Sequence, residues 1–224
     1  MLTRYVNRTE AGRELATKLT SFAGRDDVVV LALPRGGVPV AFEVARSLGA
    51  PLDVFVVRKL GVPGHEELAF GAIASGGVRV FADDTIRALR LTQPMIESVI
   101  RAEEKELARR ERLYRGERPR LELRGKTVII VDDGLATGAS MLAAVRVVRT
   151  YQPAQIVVAV PVAARETCAK LHDEADLVCV CAITPEPFYG VGMWYYDFSP
   201  TSDEEVQALL AEARARETNV GSGA

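Results

Sequence analysis

The sequence has only three cysteines and two histidines among 224 residues. Cys168, Cys179 and Cys181 form no Cys-x-x-Cys pair and have no histidine pair near them, which argues against a structural zinc site or a dithiol redox centre. Cys179 and Cys181 alternate within "LVCVCAI" as small hydrophobes of a strand do. An excess of charge of one sign is also missing: 28 basic and 30 acidic side chains leave a formal charge of −2. Non-specific nucleic-acid binding depends on Lys and Arg displacing counterions, so nucleic acid is not an expected partner, although a small anion can still be held locally. No apolar run reaches the roughly 18 residues that span a membrane. The opening "MLTRYVNRTEAGREL" lacks the apolar stretch of a signal peptide. The expectation is a cytoplasmic protein with no membrane partner, built around one principal core, with a polar tail from Thr218 to Ala224 that frays.

Short β-branched runs are present in number: "VVVLAL" at 28–33, "LDVFVV" at 52–57, "TVIIVD" at 127–132, "QIVVAVPV" at 155–162 and "DLVCVCAI" at 176–183. They are continuous rather than alternating, as strands of a parallel sheet covered on both faces are. Candidate helices at 37–48, 85–115, 138–150 and 163–173 lie between them, so the pattern predicts an α/β fold with a doubly wound, mainly parallel sheet. The last helix follows Ser202, a candidate N-cap ahead of "DEEVQALLAEARA".

Two segments break the alternation. The glycine-rich stretch 58–81 predicts a long mobile loop followed by a hairpin turning at Ser75-Gly76-Gly77. The stretch 184–202 gathers Phe188, Tyr189, Trp194, Tyr195 and Tyr196 between prolines and glycines. The charged run "RAEEKELARRERLYRGERPR" mixes signs and predicts a solvated helix face, with Arg109, Arg110, Arg112 and Arg115 as a basic remainder able to form an anion patch.

The most informative stretch is "VIIVDDGLATGAS" at 128–140. A strand that ends in a small-residue turn opening a helix aims backbone N–H groups at one point, where the helix dipole favours an anion such as phosphate. Gly134 and Gly138 permit close approach, and the hydroxyls of Thr137 and Ser140 can donate to phosphate oxygens. Asp132 and Asp133 can accept hydrogen bonds from the vicinal hydroxyls of a ribose whose 5′-phosphate sits in that loop. All thirteen positions resemble the 5-phosphoribosyl 1-diphosphate (PRPP) signature of the type I phosphoribosyltransferases. The resemblance implies that Asp132 and Asp133 hold the ribose and that Gly134, Ala136, Thr137, Gly138, Ala139 and Ser140 complete the ribose and 5′-phosphate site.

Two further stretches carry the resemblance. "LALPRGGVPVAFEVA" at 31–45 is similar to the family's pyrophosphate loop, which gives that role to Arg35, Gly36 and Gly37, on a strand expected beside that of the signature. "VVRKLGVPGHEELAFG" at 56–71 looks like the Arg-Lys before the mobile catalytic loop of purine and orotate members, which makes Arg58 and Lys59 catalytic and brings Lys59 to the diphosphate. It departs from them in offering no further basic residue there except His65.

The resemblance implies a single domain over 1–224, with its core at about 25–183 and a small hood from the aromatic segment and closing helix at about 184–216. It implies transfer of phosphoribosyl from PRPP, with Mg²⁺ bound through PRPP oxygens and water rather than by a protein cage, to a nitrogen of a heterocyclic acceptor. Phe188, Tyr189 and Trp194 are the candidates for the base, with a small satellite core between the C-terminal helix and the sheet as the other reading of the same aromatics. A homodimer is left open. The rival functions are a PRPP-sensing regulator on the same fold and, more distantly, a phosphoacceptor domain using the aspartate pair.

Overall fold

The computed structural model describes residues 4–184 and 188–221. Along the chain its elements are α1 (Arg8–Lys18), β1 (Val28–Ala32), α2 (Gly37–Leu48), β2 (Leu52–Val54), β3 (Val57–Val62), β4 (His65–Ala74), β5 (Val78–Phe81), α3 (Asp83–Ala88), α4 (Gln93–Arg115), β6 (Thr127–Val131), α5 (Ala139–Thr150), β7 (Gln155–Ala164), α6 (Arg165–His172), β8 (Leu177–Thr184) and α7 (Asp203–Gly221). Five strands form a parallel sheet in the order β2-β1-β6-β7-β8. Alternate residues of β1 serve two cores. Val28 and Val30 pack with α1, α2, α4 and α7, whereas Val29 and Leu31 pack with α5 and α6. Burial on both faces is why these strands read as unbroken apolar runs.

The strand order reverses between β1 and β6, which are paired in register from Val28↔Thr127 to Ala32↔Val131. Beyond their carboxyl ends the two chains diverge to opposite faces of the sheet, β1 into α2 and β6 into α5, leaving a crevice of the kind where open α/β sheets hold ligands. The expected neighbourhood of the two loops is therefore present.

Several boundaries differ from the sequence expectation. The run at 52–57 is divided: Leu52–Val54 joins the parallel sheet, and Val57 opens a second sheet, β3-β4-β5. The loop expected after Arg58 is instead an antiparallel hairpin, β3 pairing with β4 from Val57↔Ala74 to Val62↔His65 around a turn at Gly64, where φ is +79°. The second hairpin turns at residues 75–77 as expected. The helix expected at 85–115 is broken into α3 and α4, with Arg90 at a positive φ between them. Ser202 caps α7, its hydroxyl accepting from the Glu205 N–H at 3.2 Å, and the tail expected to fray from Thr218 remains helical to Gly221. Residues 222–224 of that tail lie outside the described residues.

Helix α1 is not among the expected elements. Its signal is local: the Asn7 side chain accepts from the Glu10 N–H at 3.0 Å while the Glu10 carboxylate accepts from the Val6 N–H, a reciprocal capping arrangement. It packs closely on α2 at Gly12, where a Cβ would stand 2.8 Å from the Val40 carbonyl oxygen.

Candidate functional site

At the β6 end of the crevice, the carboxylate of Asp132 turns back to accept from the Asp133 N–H at 2.9 Å. The loop that follows is pinned to β7, with Leu135 N–H donating to Val162 O and Ala164 N–H donating to Leu135 O, both at 2.9 Å. Gly134 lies against Val162 and Val191, so close that a Cβ would come within 2.6 Å of Val191 Cγ1. Gly138 is the left-handed residue that opens α5, at φ +68°, and a Cβ there would meet Thr167 Cγ2 at 2.3 Å. The Thr167 hydroxyl donates to the Ala136 carbonyl. Ala136, Thr137 and Ser140 stay exposed, and Ala139 begins the first helical turn, so the small residues of the motif shape an open helix N-terminus suited to an anion.

At the β1 end, the Pro34–Arg35 peptide is cis, Gly36 is the N-cap of α2 and Gly37 its first residue. These two glycines bring the loops together. A Cβ on Gly36 would lie 2.1 Å from Asp133 Oδ2, and one on Gly37 would lie 2.8 Å from Val131 O and 2.9 Å from Asp132 Cα. The half-exposed Arg35 guanidinium leans toward Asp203 at the start of α7, at 3.7 Å, where the Tyr114 hydroxyl also donates to the carboxylate at 2.5 Å. Burial and the Asp203 charge push the Tyr114 phenol up to about 12.

The acid pair has an unforeseen partner. Arg8, in the first turn of α1, donates from Nε to Asp133 Oδ2 at 2.8 Å, with about a tenth of each side chain exposed. Its Nη1 donates to Ser199 O at 2.8 Å, and its guanidinium carbon lies 3.9 Å from the centre of the Phe198 ring. The Tyr195 hydroxyl donates to the Asp133 carbonyl at 2.6 Å. Burial, and then the Asp133 charge, hold the Asp132 carboxyl well above the usual carboxylate range; burial also raises Asp133, against which Arg8 pulls down.

The remaining predicted residues are distributed less simply. Strand alternation sends Arg58 and Lys59 to opposite sides of β3. Arg58 pairs with Glu103 of α4 at 2.6 Å, while Lys59 lines a cavity of about 200 Å³ with Ala139, Leu142 and Ala143 of α5, close to the loop that opens that helix. Phe188 and Trp194 pack on a small cluster of Tyr5, Ala11, Val162 and Tyr195, a satellite core that lies against α1 and β7 and not against the closing helix; Tyr189 is 84% exposed. Of the basic remainder of α4, Arg109 and Arg110 share Glu106 and Arg115 is buried against Asp53, whereas Arg112 is exposed. His65 is exposed at the start of β4.

Residues 2–196 match the family model described as the phosphoribosyl transferase domain. Two Mycobacterium tuberculosis proteins, from strains H37Rv and CDC 1551 and each provisionally named a phosphoribosyl transferase, are 50% identical over 92% of this chain and 46% of their own length. The chain thus spans about half the length of these relatives. The crystal structure of TT1426 from Thermus thermophilus is similar at a TM-score of 0.85 and 43% identity, covering 94% of this chain and 99% of that one. The AQ2163 protein of Aquifex aeolicus, 13% identical over 91% of this chain and 84% of its own with a TM-score of 0.51, shares the fold.

Proposed function

The chain belongs to the phosphoribosyl transferase family, and on that premise we propose that it transfers the 5-phosphoribosyl group of PRPP, with Mg²⁺, to a nitrogen of a nucleobase or related heterocycle, releasing pyrophosphate. The observation that carries this reading is the meeting of two loops at one crevice: Asp133 Oδ2 lies 2.1 Å from the place of a Cβ on Gly36. A phosphate loop at 136–140 that follows the acid pair, and a second glycine turn in contact with that pair at Asp133, suit a ligand with a phosphate at each end of one sugar.

In the reaction the bond from ribose C1 to the diphosphate oxygen breaks, its electron pair leaves with pyrophosphate, and the acceptor nitrogen forms the new C1–N bond with inversion and loses its proton. Positive charge develops on the sugar as negative charge develops on the leaving group. The N–H groups of 136–140 hold the 5′-phosphate, and Asp132 and Asp133 accept from the ribose hydroxyls and stabilise the cationic ring. Arg35 and the turn at Gly36 and Gly37 receive the diphosphate. Lys59, on the α5 side of its strand, is better placed than Arg58 to approach a ligand at the loop. Closure of the β3–β4 hairpin, which carries Lys59, over the bound ligand would exclude water.

Among the described residues no group of three or more His, Cys, Asp or Glu side chains comes together to hold a metal, and Asp133 is already partnered by Arg8. A Mg²⁺ ion carried by diphosphate oxygens and water would supply neutralisation of charge on the leaving group, beside Arg35 and Lys59. Tyr189, exposed two residues from the Val191 that covers Gly134, is the aromatic side chain most available to a heterocycle. No helix among the described residues is long and apolar enough to cross a membrane. A cytoplasmic setting belongs to this proposal and rests on three free thiols.

The test is a panel of nucleobases with PRPP and Mg²⁺, reading pyrophosphate release, with Asp132→Asn/Asp133→Asn as control. Release that needs one particular base and disappears in the double variant supports the proposal. A wild type that does not bind PRPP, or a double variant that binds it equally well, defeats it.

A further inference from the structure

Two adjacent, desolvated carboxylates repel, and without compensation such a pair keeps a proton toward neutral pH. Here the two are compensated unequally. Asp133 receives the Arg8 guanidinium directly at 2.8 Å, whereas among the described residues Asp132 accepts from the Asp133 N–H, at 2.9 Å, and feels Arg8 only at a distance. Arg8 is also immobilised, by the Ser199 carbonyl at one nitrogen and the Phe198 ring beneath its plane. A fixed guanidinium is pre-organised, so it can set the direction of a carboxylate as well as its charge. The direction is set toward the β1–α2 loop, since Arg8 Nε and Asp133 Oδ2 both border the space beside Gly36.

We propose that Arg8 is a positioning residue of the PRPP site: it holds Asp133 as an oriented carboxylate against Gly36 and so divides the acid pair, leaving the carboxylate oxygens not engaged with Arg8 or the Asp133 N–H to receive the ribose hydroxyls. This rests on the transferase reading and goes beyond it in making the N-terminal helix part of sugar recognition. The groups facing Asp133 are few. Arg8 comes from α1, Asp132 from the end of β6, Tyr195 from the aromatic segment through its hydroxyl, and Gly36 from the β1–α2 loop; Tyr5 lies beyond Tyr195, with ring centres 5.6 Å apart. The Arg35 guanidinium is turned to Asp203. Arg8 is thus the cation that pairs with Asp133 in this group.

The experiment measures binding of PRPP, ribose 5-phosphate and inorganic phosphate to the full chain across the range from about pH 6 to about pH 9, in wild type, Arg8→Ala, Arg8→Lys and Phe198→Leu. Loss of the cation lets the acid pair keep a proton to higher pH, and a protonated carboxyl is a poorer acceptor for a hydroxyl. Arg8→Ala is therefore expected to weaken ribose 5-phosphate by about tenfold at the acid end, with affinity recovering as pH rises. Inorganic phosphate, which has no hydroxyls to present to the pair, should bind as in wild type and controls for the titration of phosphate itself. Arg8→Lys, which keeps the charge but not the fixed planar fork, restores the acid-end affinity only in part, and Phe198→Leu, which frees the guanidinium while keeping its charge, lowers ribose 5-phosphate affinity about equally at every pH and spares inorganic phosphate. Wild-type affinity of Arg8→Ala at every pH overturns the inference, as does an equal, pH-independent loss for all three ligands, which marks a merely structural role. A wild type that binds neither PRPP nor ribose 5-phosphate overturns the transferase reading, and this inference with it.

Discussion

Asp133 fills the space that any side chain on Gly36 would need, its Oδ2 only 2.1 Å from the position of a Cβ. Gly36 itself has φ −59° and ψ −31°, a conformation open to every L-residue. The glycine is required by contact and not by backbone torsion. Gly36→Ala should therefore displace the Asp133 carboxylate, break its pairing with Arg8 and cost about 1–3 kcal/mol of stability by overpacking. Calorimetric unfolding beside PRPP titration checks this, with binding expected to suffer more than folding. A variant with wild-type PRPP affinity would show that Asp133 can move without consequence.

A second expectation concerns pH. Asp132 binds its proton more tightly in the folded chain than in the unfolded one, because burial and Asp133 disfavour its charge. For an acid raised in this way, stability is fully present below the ordinary carboxylate range and is lost as pH climbs through the raised folded value. Asp132→Asn carries no such loss. It should be more stable than wild type at neutral pH, converge with it in acid, and bind PRPP poorly; denaturant midpoints across pH measure the first two points. Equal stability of the two proteins at every pH would contradict the sign.

Arg58 and Lys59 are neighbours with different surroundings, Arg58 against α4 and Lys59 beside α5. The Arg58–Glu103 pair is roughly a quarter exposed, and Arg58→Ala should cost under about 1 kcal/mol with little effect on turnover. Lys59→Ala should leave the melting temperature nearly unchanged and reduce kcat/KM at least about tenfold, the scale of one lost charge contact at a developing anion. Steady-state kinetics of the two variants side by side distinguishes them; a larger catalytic loss in Arg58→Ala would reverse the assignment.

Beneath α4, Arg115 donates to Asp53 at 2.7 Å and to Val54 O at 3.1 Å, while its Nε and Nη1 are buried with no hydrogen-bond partner among the described residues. Asp53→Ala strands that charge and should destabilise the protein by about 3–5 kcal/mol in urea unfolding. Asp53→Leu/Arg115→Met should recover most of the loss, because the apolar pair leaves no charge to strand. If the double variant is no better than the single, the ion pair itself is what secures β2 to α4.

The strand, loop and helix from Thr127 to Thr150 are readable in the sequence because their chemistry is consecutive: the apolar run, the acids and the small residues act on one another in chain order. The β3–β4 hairpin is concealed by its glycines, which resemble those of a loop. Gly71 belongs to a strand all the same, since a Cβ there would stand 2.5 Å from the Val80 carbonyl oxygen of β5, and the register shifts around Gly61 absorb the irregular pairing. Arg58 and Lys59 look like one unit along the chain, and only strand geometry puts them on opposite faces. Arg8 is beyond reach for another reason. Its helix is announced by Asn7 and Glu10, but no local pattern says that a guanidinium in its first turn will meet a carboxylate 125 positions later.

The joining of the two ends of the chain has a consequence in time. Tyr5 bridges to Tyr195, and Arg8 bonds the carbonyl of Ser199, 191 residues further on. A ribosome making this stretch of chain releases α1 before β1 and supplies its partners at 195–199 only after all five strands of the parallel sheet have been made. Closure over so long a stretch of sequence comes late in assembly. A nascent product halted before Tyr195 holds the whole stretch from Val128 to Ser140 and still lacks Tyr195, Phe198 and Ser199, which brace Asp133 and Arg8.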